Sequence, residues 1–597
     1  MLFLASQARV DRFQGLETID YVAVVIYFLG VLSLGYYFSK RQRSVEEYFL
    51  AGRGMPWFVV GVSMYASLLS TIAYLSEPGE FIKNGPGVWG RQLHVPFTLT
   101  LALLVLIPFF MRRRLTSAYE YLEERYGLKT RLFASALFLI IRLSMMGMIV
   151  YTAALAMSKI ANVPVIWVVL GVGFIAIAYT TLGGIRAVMW TDLVQFMILF
   201  GGLLFTIGYV FVDTGTGPIT WYQDVMAVER EPQPFFRLDP YVRVSVLGMA
   251  IYAFFWWIST CGSDQLVVQR YLAAGSLKGA RRSLLANQAA DVCVGFLLGL
   301  GGMALYSYYK AQLPGTPDEV FPHFIAHGLP RGLSGLVVAA LFSTAMAALD
   351  SSMHGIATVL TVDFVGRLRQ NPLSPTAQLT LARIFTVAAG IFAVLFCLYL
   401  NTIPEGSRGN FFGMTTRIIA YVIGALGGIF IAAFLKLRTS GTMMVASGLL
   451  GLSVGFYLSL GHWFQKHPDV FVFVKQEGEM VRWEPLRGEP NTIGSSAELS
   501  RLVLANEEVA PHHATIQLTE AGWEIEQVDP KAAILLNQQP VSQALIAPDD
   551  VVDLGSQRLL IRLKAISWMW PLPVAFLVTL LSAAVFSLRR RSSCTYR

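Results

Sequence analysis

The chain has 597 residues, 55% of them apolar and only 14% charged, with a mean hydropathy of +0.56. That charged share is roughly half the globular average and excludes an ordinary soluble protein. The net charge of +8 does not signify nucleic acid, because Lys and Arg gather at the ends of apolar runs: KRQR at 40–43, RRR at 112–114, RLR at 367–369, KLR at 436–438 and RRR at 589–591. No nucleophile–base pair, metal cluster or phosphate loop marks an enzyme. The four cysteines show neither metal spacing nor a disulfide framework.

Arg9, Asp11 and Arg12 interrupt the N-terminal stretch, which does not read as a cleavable signal. Thirteen apolar spans follow, at about 20–38, 57–81, 92–111, 132–158, 164–182, 186–212, 243–268, 284–309, 332–362, 376–400, 411–435, 441–461 and 571–588. Each has about the length that crosses ~30 Å of hydrocarbon as a helix. The basic clusters fall in alternate loops, so the positive-inside rule puts them in the cytoplasm. The N-terminus is then outside a plasma (inner) membrane and the C-terminus inside, as an odd number of spans requires. The expected fold class is an all-α polytopic membrane protein with a 5+5 inverted repeat and a small all-β domain. Residues 1–461 form the core with twelve helices, 470–564 the β domain, 571–588 the final span and 589–597 a basic cytoplasmic tail.

Two spans are interrupted. The second, VGVSMYASLLSTIAYLSEPGEF, gathers Ser63, Ser67, Ser70, Thr71 and Ser76 around its midpoint, and the seventh breaks at Ser259-Thr260-Cys261-Gly262-Ser263. With the first span peripheral, these two open successive groups of five helices. Broken helices at matching positions in two halves point to a transport site at an inverted-repeat interface. The ninth span adds ALFSTAMAALDSS at 340–352. Its adjacent hydroxyls, Ser343 and Thr344, lie within one turn of the Ala340 carbonyl, and a hard monovalent cation is held by such oxygens. Asp350, more than a turn further on, reads as a solvated or locally paired carboxylate near the cytoplasmic end.

EEYFLAGRGMPW (46–57), YTTLGGIRAVMWTDLVQ (179–195), DQLVVQRYLAAGSLKGARRS (264–283) and AALFSTAMAALDSS, in this order and topology, resemble the sodium:solute symporter family. The resemblance covers residues 20–461 and implies a leucine-transporter-like fold and sodium-coupled uptake of a small solute. It implies a sodium site made of the Ala66, Leu69 and Ala340 carbonyls and the Ser343 and Thr344 hydroxyls, with Asp192 associated with coupling. Some members hold a second sodium on hydroxyls at the positions of Met346 and Ala347, which cannot serve here. Sodium is the only cofactor expected, as coupling ion, with no organic cofactor.

The solute cavity is expected between the broken spans, lined by Ser67, Leu68, Tyr74, Trp257 and Thr260. Leu68, Ile72 and Ala73 stand where sugar- and proline-carrying members place polar groups. LSEPGEF is more like the branch carrying iodide, monocarboxylates and vitamins. An organic anion, monocarboxylate or vitamin-like solute is therefore preferred over a sugar or amino acid. The alternative function is a membrane sensor in which the β domain reports occupancy.

Residues 470–564 are polar and acidic, with alternating stretches such as WEIEQV (523–528) that read as half-buried strands. NTIGSSAELSRLVLANEEVAPHHATI (491–516), GWEIEQV, ILLNQQPV and DDVVDLG resemble a forkhead-associated domain. That family's phosphothreonine chemistry is lost: Ser495 stands for its Arg, Ala510 for its Ser and Ala532 lies in the recognition loop, while His513 and Asn537 are kept. His512 and His513 lack further metal ligands nearby. Spans 12 and 13 place this domain outside the cytoplasm, with a protein as its partner. Sodium, the solute and membrane lipid are the other partners, and nucleic acid is not one.

Overall fold

The computed structural model describes residues 16–39, 44–113, 115–161, 163–227, 245–309, 313–314, 317–371, 373–460 and 569–594 of the helical part. Of the strand-bearing part it describes 470–476, 479–485, 490–496, 500–504, 509–519, 523–546, 551–555, 557–563 and 567. The principal helices are α1 (Thr18–Ser39), α2 (Trp57–Leu68), α3 (Thr71–Asn84), α4 (Leu128–Ala161), α5 (Val165–Thr214), α6 (Val246–Ser263), α7 (Gln265–Ala273), α8 (Leu277–Tyr309), α9 (Leu333–Val359), α10 (Pro375–Thr402), α11 (Glu405–Phe434), α12 (Gly441–Leu460) and α13 (Pro571–Cys594).

Among the described residues, eleven helices are long and apolar enough to cross a membrane. The thirteen expected spans differ from this count because two of the eleven each join neighbouring stretches. One runs Thr71–Met111 and the other Val165–Thr214. A straight 50-residue helix would be ~75 Å long, far beyond ~30 Å of hydrocarbon. The chain breaks within it at Gly184, where φ is 57° and ψ −165°, a conformation that side-chain-bearing residues avoid. The expected fifth and sixth spans are the two arms on either side.

Both anticipated interruptions are present. Between α2 and α3, Leu69 (ψ 116°) and Ser70 (ψ 154°) are extended, and the Ser70 hydroxyl accepts a hydrogen bond from the Ala73 N–H at 3.1 Å. Between α6 and α7 the break falls at Asp264 (φ −80°, ψ 121°), one residue past the expected stretch, and its carboxylate accepts from the Leu266 N–H at 3.0 Å. Each break therefore carries its own N-cap, which restarts the helix at little cost.

α9 is enclosed along almost its whole length. Its start is capped from α1: Asp20 Oδ1 accepts from the N–H groups of Gly332 and Gly335, both at 2.7 Å. α8 approaches α3 so closely that a Cβ on Gly302 would lie 2.4 Å from the Pro78 carbonyl oxygen. α13 runs antiparallel to α12: Gly455 faces Ala575, Gly451 faces Thr579, and the Arg438 N–H donates to Ser587 Oγ at 2.9 Å.

Among the described residues, the second unit holds eleven strands in two sheets. One orders β2 (Glu479–Pro485), β1 (Val470–Gln476), β11 (Gln557–Leu563), β10 (Val551–Leu554), β7 (Ile534–Leu536) and β8 (Gln539–Val541). The other orders β4 (Leu502–Val503), β3 (Asn491–Gly494), β5 (Ala514–Leu518), β6 (Trp523–Gln527) and β9 (Gln543–Leu545). Alternate residues, including Ile493, Ile516, Ile525, Val552 and Leu559, fill the core, the period-2 burial of a half-buried strand. Asn537 and Gln538 have positive φ (50° and 69°) and close the β7–β8 hairpin as a two-residue turn. His513 is buried, with Nε2 3.1 Å from the Ala533 carbonyl and Nδ1 accepting from the Ala510 N–H at 3.3 Å. It is a structural histidine.

Candidate functional site

The last turn of α2 lies against the middle of α9, where Ser67 Oγ is 2.8 Å from Ser351 Oγ. All five expected sodium ligands are buried on these two elements: Ala66 and Leu69 beside the α2 break, and Ala340, Ser343 and Thr344 on α9. Ser343 Oγ donates to the Ala339 carbonyl (2.7 Å) and Thr344 Oγ1 to the Ala340 carbonyl (2.8 Å). Each hydroxyl proton is thus directed along its own helix, and the oxygen lone pairs stay available to a cation. The break at Leu69–Ser70 ends the α2 ladder, so carbonyls of its last turn lose their helical donors. The donor set is neutral and all oxygen, as suits a monovalent hard cation.

Asp192 lies on the second arm of α5 and is wholly buried. Its Oδ2 accepts from Ser63 Oγ (2.5 Å), Ser67 Oγ (3.3 Å) and Arg270 Nη2 (3.2 Å), whereas Oδ1 has no partner among the described residues. Arg270, on α7, also donates from Nε to Ser63 Oγ (2.8 Å) and from Nη2 to Ser351 Oγ (2.7 Å). A charge pair this far from water persists only with such supporting hydrogen bonds. It ties α2, α5, α7 and α9 together at one point.

Asp350 requires a correction. It is not solvated at a helix end but fully buried, because α9 is surrounded on all sides along this stretch. It is locally paired: the Tyr179 phenol donates to Oδ2, and Ser351 Oγ lies 3.2 Å from Oδ1.

The expected solute-contact residues divide. Ser67 belongs to the Asp192 network. Leu68 and Trp257 share one apolar cluster, and Trp257 stacks on His94 with centroids 6.1 Å apart and planes 17° from parallel. Thr260 Oγ1 donates to the Trp256 carbonyl of its own helix (2.8 Å). Tyr74 belongs to a different cluster, with its ring 5.6 Å from Phe321 and its hydroxyl unpartnered among the described residues. Thr71, one of the hydroxyls gathered at the midpoint of the second span, is buried and its hydroxyl has no partner among the described residues, whereas Arg270, Ser351 and Tyr179 were not singled out by the sequence. The signal for Arg270 was present, as the one cation in QLVVQRYL next to a helix break.

Two broken helices with an enclosed cation-type oxygen set and a buried charge pair define a secondary transporter of the five-plus-five class. Residues 48–451 match the family model described as the sodium:solute symporter family, and the chain belongs to that family. It is a sodium-coupled symporter and not an enzyme. The sodium/sialic acid symporter SiaT of Proteus mirabilis is 31% identical over 440 residues, 72% of this chain and 87% of that protein. The sodium-dependent multivitamin transporter of Oryctolagus cuniculus is 29% identical, over 74% of this chain and 70% of that protein. A solved structure of a Na+-coupled sialic acid symporter, substrate-bound and outward-open and described as revealing a novel Na+ site, superposes with a TM-score of 0.69 at 27% identity. It covers 74% of this chain and 93% of that one. Residues 480–564 match a model described as the inner membrane component of T3SS, cytoplasmic domain. Forkhead-associated domains also align to about 16% of the chain, one from Chlamydia trachomatis at 20% identity and a TM-score of 0.16.

Proposed function

We propose that this symporter imports an organic anion bearing a carboxylate, of the sialic acid or monocarboxylate kind, with sodium held by Ala66, Leu69, Ala340, Ser343 and Thr344. The observation that carries the solute class is the restart of the second span. α3 begins inside the bundle, so its first N–H groups and positive dipole end point into the interior, where they favour an anionic group. Ser70 satisfies the Ala73 N–H, and beside it the buried Thr71 hydroxyl has no partner among the described residues. A substrate carboxylate supplies the acceptor that Thr71 lacks. Leu68 and Trp257 offer an apolar wall for the remainder of the solute. SiaT is named for sialic acid and a relative from Danio rerio for monocarboxylates, which supports this class, although another relative is a sodium/glucose cotransporter from Vibrio parahaemolyticus.

In this reading the N-terminus lies outside the inner membrane, the C-terminus inside, and the β unit outside, where it engages a protein partner. Purified protein in proteoliposomes, given an inward sodium gradient, is expected to accumulate a labelled sialic acid or monocarboxylate and not glucose. Thr71→Val is expected to weaken solute affinity roughly ten- to hundredfold, the worth of a hydrogen bond to a charged group, about 1.5–3 kcal/mol. Sodium-driven glucose uptake would overturn the solute class. Tight solute binding with no uptake would favour a sensor.

A further inference from the structure

The buried charges around Asp192 do not balance. Asp192, Asp350 and Arg270 are each no more than about 2% exposed, so two carboxylates share the enclosed centre of the bundle with one guanidinium. Arg270 contacts Asp192, whereas the hydrogen-bonding neighbours of Asp350 are the neutral Tyr179 and Ser351. A carboxylate cannot remain charged in such a place without a cation or a full set of donors, because its desolvation is too costly. Among the described residues, the neighbours supply no second cation. Tyr179 and Asp192 face it from α5, Arg270 from α7, and Tyr27, whose hydroxyl lies 3.6 Å from Met346 Sδ, from α1. Arg142 of α4 is taken by Asp264, and His354, one turn further along α9, lies 3.4 Å from the Gln269 amide. At α10, Gly390 meets Met353, and Arg383 is two turns away.

The oxygens between the two acids are continuous. Asp350 Oδ1 to Ser351 Oγ is 3.2 Å, Ser351 Oγ to Ser67 Oγ 2.8 Å, and Ser67 Oγ to Asp192 Oδ2 3.3 Å. Hydroxyls both donate and accept, so a proton entering at one end can be relayed by each hydroxyl passing on its own. We propose that Asp350 is a proton-binding site, linked through Ser351 and Ser67 to Asp192, so that this transporter carries an ionisable site besides its sodium site. A proton rather than a second sodium fits the position: the carboxylate has two hydrogen-bonded neighbours, and among the described residues no group of three or more acidic, histidine or cysteine side chains is gathered there. On binding, the carboxylate takes H+ to become a neutral acid, which donates to Ser351. On release the same proton leaves and the Tyr179 phenol steadies the anion.

Ser343 and Thr344 lie six or seven residues earlier on α9, ~10 Å along the axis. Sodium there repels the proton, so the two cations compete; this linkage rests on the sodium site proposed above.

Infrared difference spectroscopy of the full-length protein in lipid nanodiscs, titrated between acid and alkaline pH, tests the assignment. Wild type is expected to show the carbonyl stretch of a protonated carboxyl group, and Asp350→Asn to lose it. Tyr179→Phe removes a donor to the anion, so it should keep the band to higher pH, and it covers the case in which Asp350→Asn fails to fold. An undiminished band in Asp350→Asn, or an unmoved titration in Tyr179→Phe, overturns the proposal. Sodium chloride, against choline chloride, is expected to shift the titration to lower pH. A band that depends on Asp350 but ignores sodium upholds the proton site and counts against the sodium site, so the two readings fail separately.

Discussion

Ser343 and Thr344, proposed here as sodium ligands, would need little rearrangement to serve a cation. Both hydroxyls already spend their protons on carbonyls one turn back, at 2.7 and 2.8 Å, so folding and ion binding use different parts of the same oxygen. Ser343→Ala and Thr344→Ala should therefore leave α9 folded, since alanine is the better helix former. Each deletes one of the proposed sodium ligands. The sodium concentration giving half-maximal transport should rise roughly tenfold or more in each, in line with the ~1.5–3 kcal/mol of an interaction with a charged group. Unchanged sodium dependence in both variants would remove the site. The pair stood out in the sequence because adjacent hydroxyls in an apolar run are a local signal. The partners of Asp192 did not, because Ser63 is 129 residues away and Arg270 is 78. Sequence shows that a buried acid needs company but does not say whose. Asp350 failed for the same reason, as its enclosure comes from helices far off in the chain.

At the level of elements, the breaks in the second and seventh spans could be read from clustered hydroxyls and glycines, and the structure moves the second break by only one residue. Harder to foresee were the ties between elements at the helix ends. The short helix Glu120–Tyr126 is held to α4 and to the stretch that follows α9 through Glu123, which accepts from Arg131 Nη1 (2.7 Å) and from Arg367 Nε (2.9 Å). Asp363 completes the cluster by accepting from Arg131 Nε (2.7 Å) and Ser117 Oγ (2.7 Å). The hydrogen bond from Arg367, and then that from Arg131, holds the Glu123 carboxyl below its ordinary range despite some burial. A depressed carboxylate contributes its stability above the ordinary value, ~4.3, and loses it as pH falls through the folded one. Glu123→Gln should accordingly lower the Tm of the detergent-solubilised protein at pH 7. The gap from wild type should close as the pH is taken below ~4. A gap that stays constant with pH would mean that the Glu123 charge contributes nothing.

At the scale of the whole molecule, a transport core is joined to a β unit whose phosphate chemistry is missing. The Ser495 N–H donates to the Ala510 carbonyl at 3.0 Å, so the two positions that the forkhead-associated resemblance assigns to phosphate recognition do lie side by side, yet neither carries a cation and only Ser495 offers a hydroxyl donor. A phosphate dianion needs charge-assisted donors, and full-length protein titrated with a phosphothreonine peptide is expected to show no preference over the unphosphorylated peptide. The location proposed for the unit rests on the helices that flank it. α12 and α13 are antiparallel, and Arg438 meets Ser587 at one end of the pair, which is the end marked by KLR and RRR. The proposed location outside the cytoplasm takes that end as the cytoplasmic one under the positive-inside rule, so that the opposite end of the pair faces outward. A Ser496→Cys variant, in a background lacking Cys293 and Cys594, should react with a membrane-impermeant maleimide on intact spheroplasts. Reaction only after the membrane is broken would invert the topology, and with it the side on which a partner must be sought. Micromolar binding confined to the phosphorylated peptide would restore a signalling role that the side chains at Ser495 and Ala510 argue against.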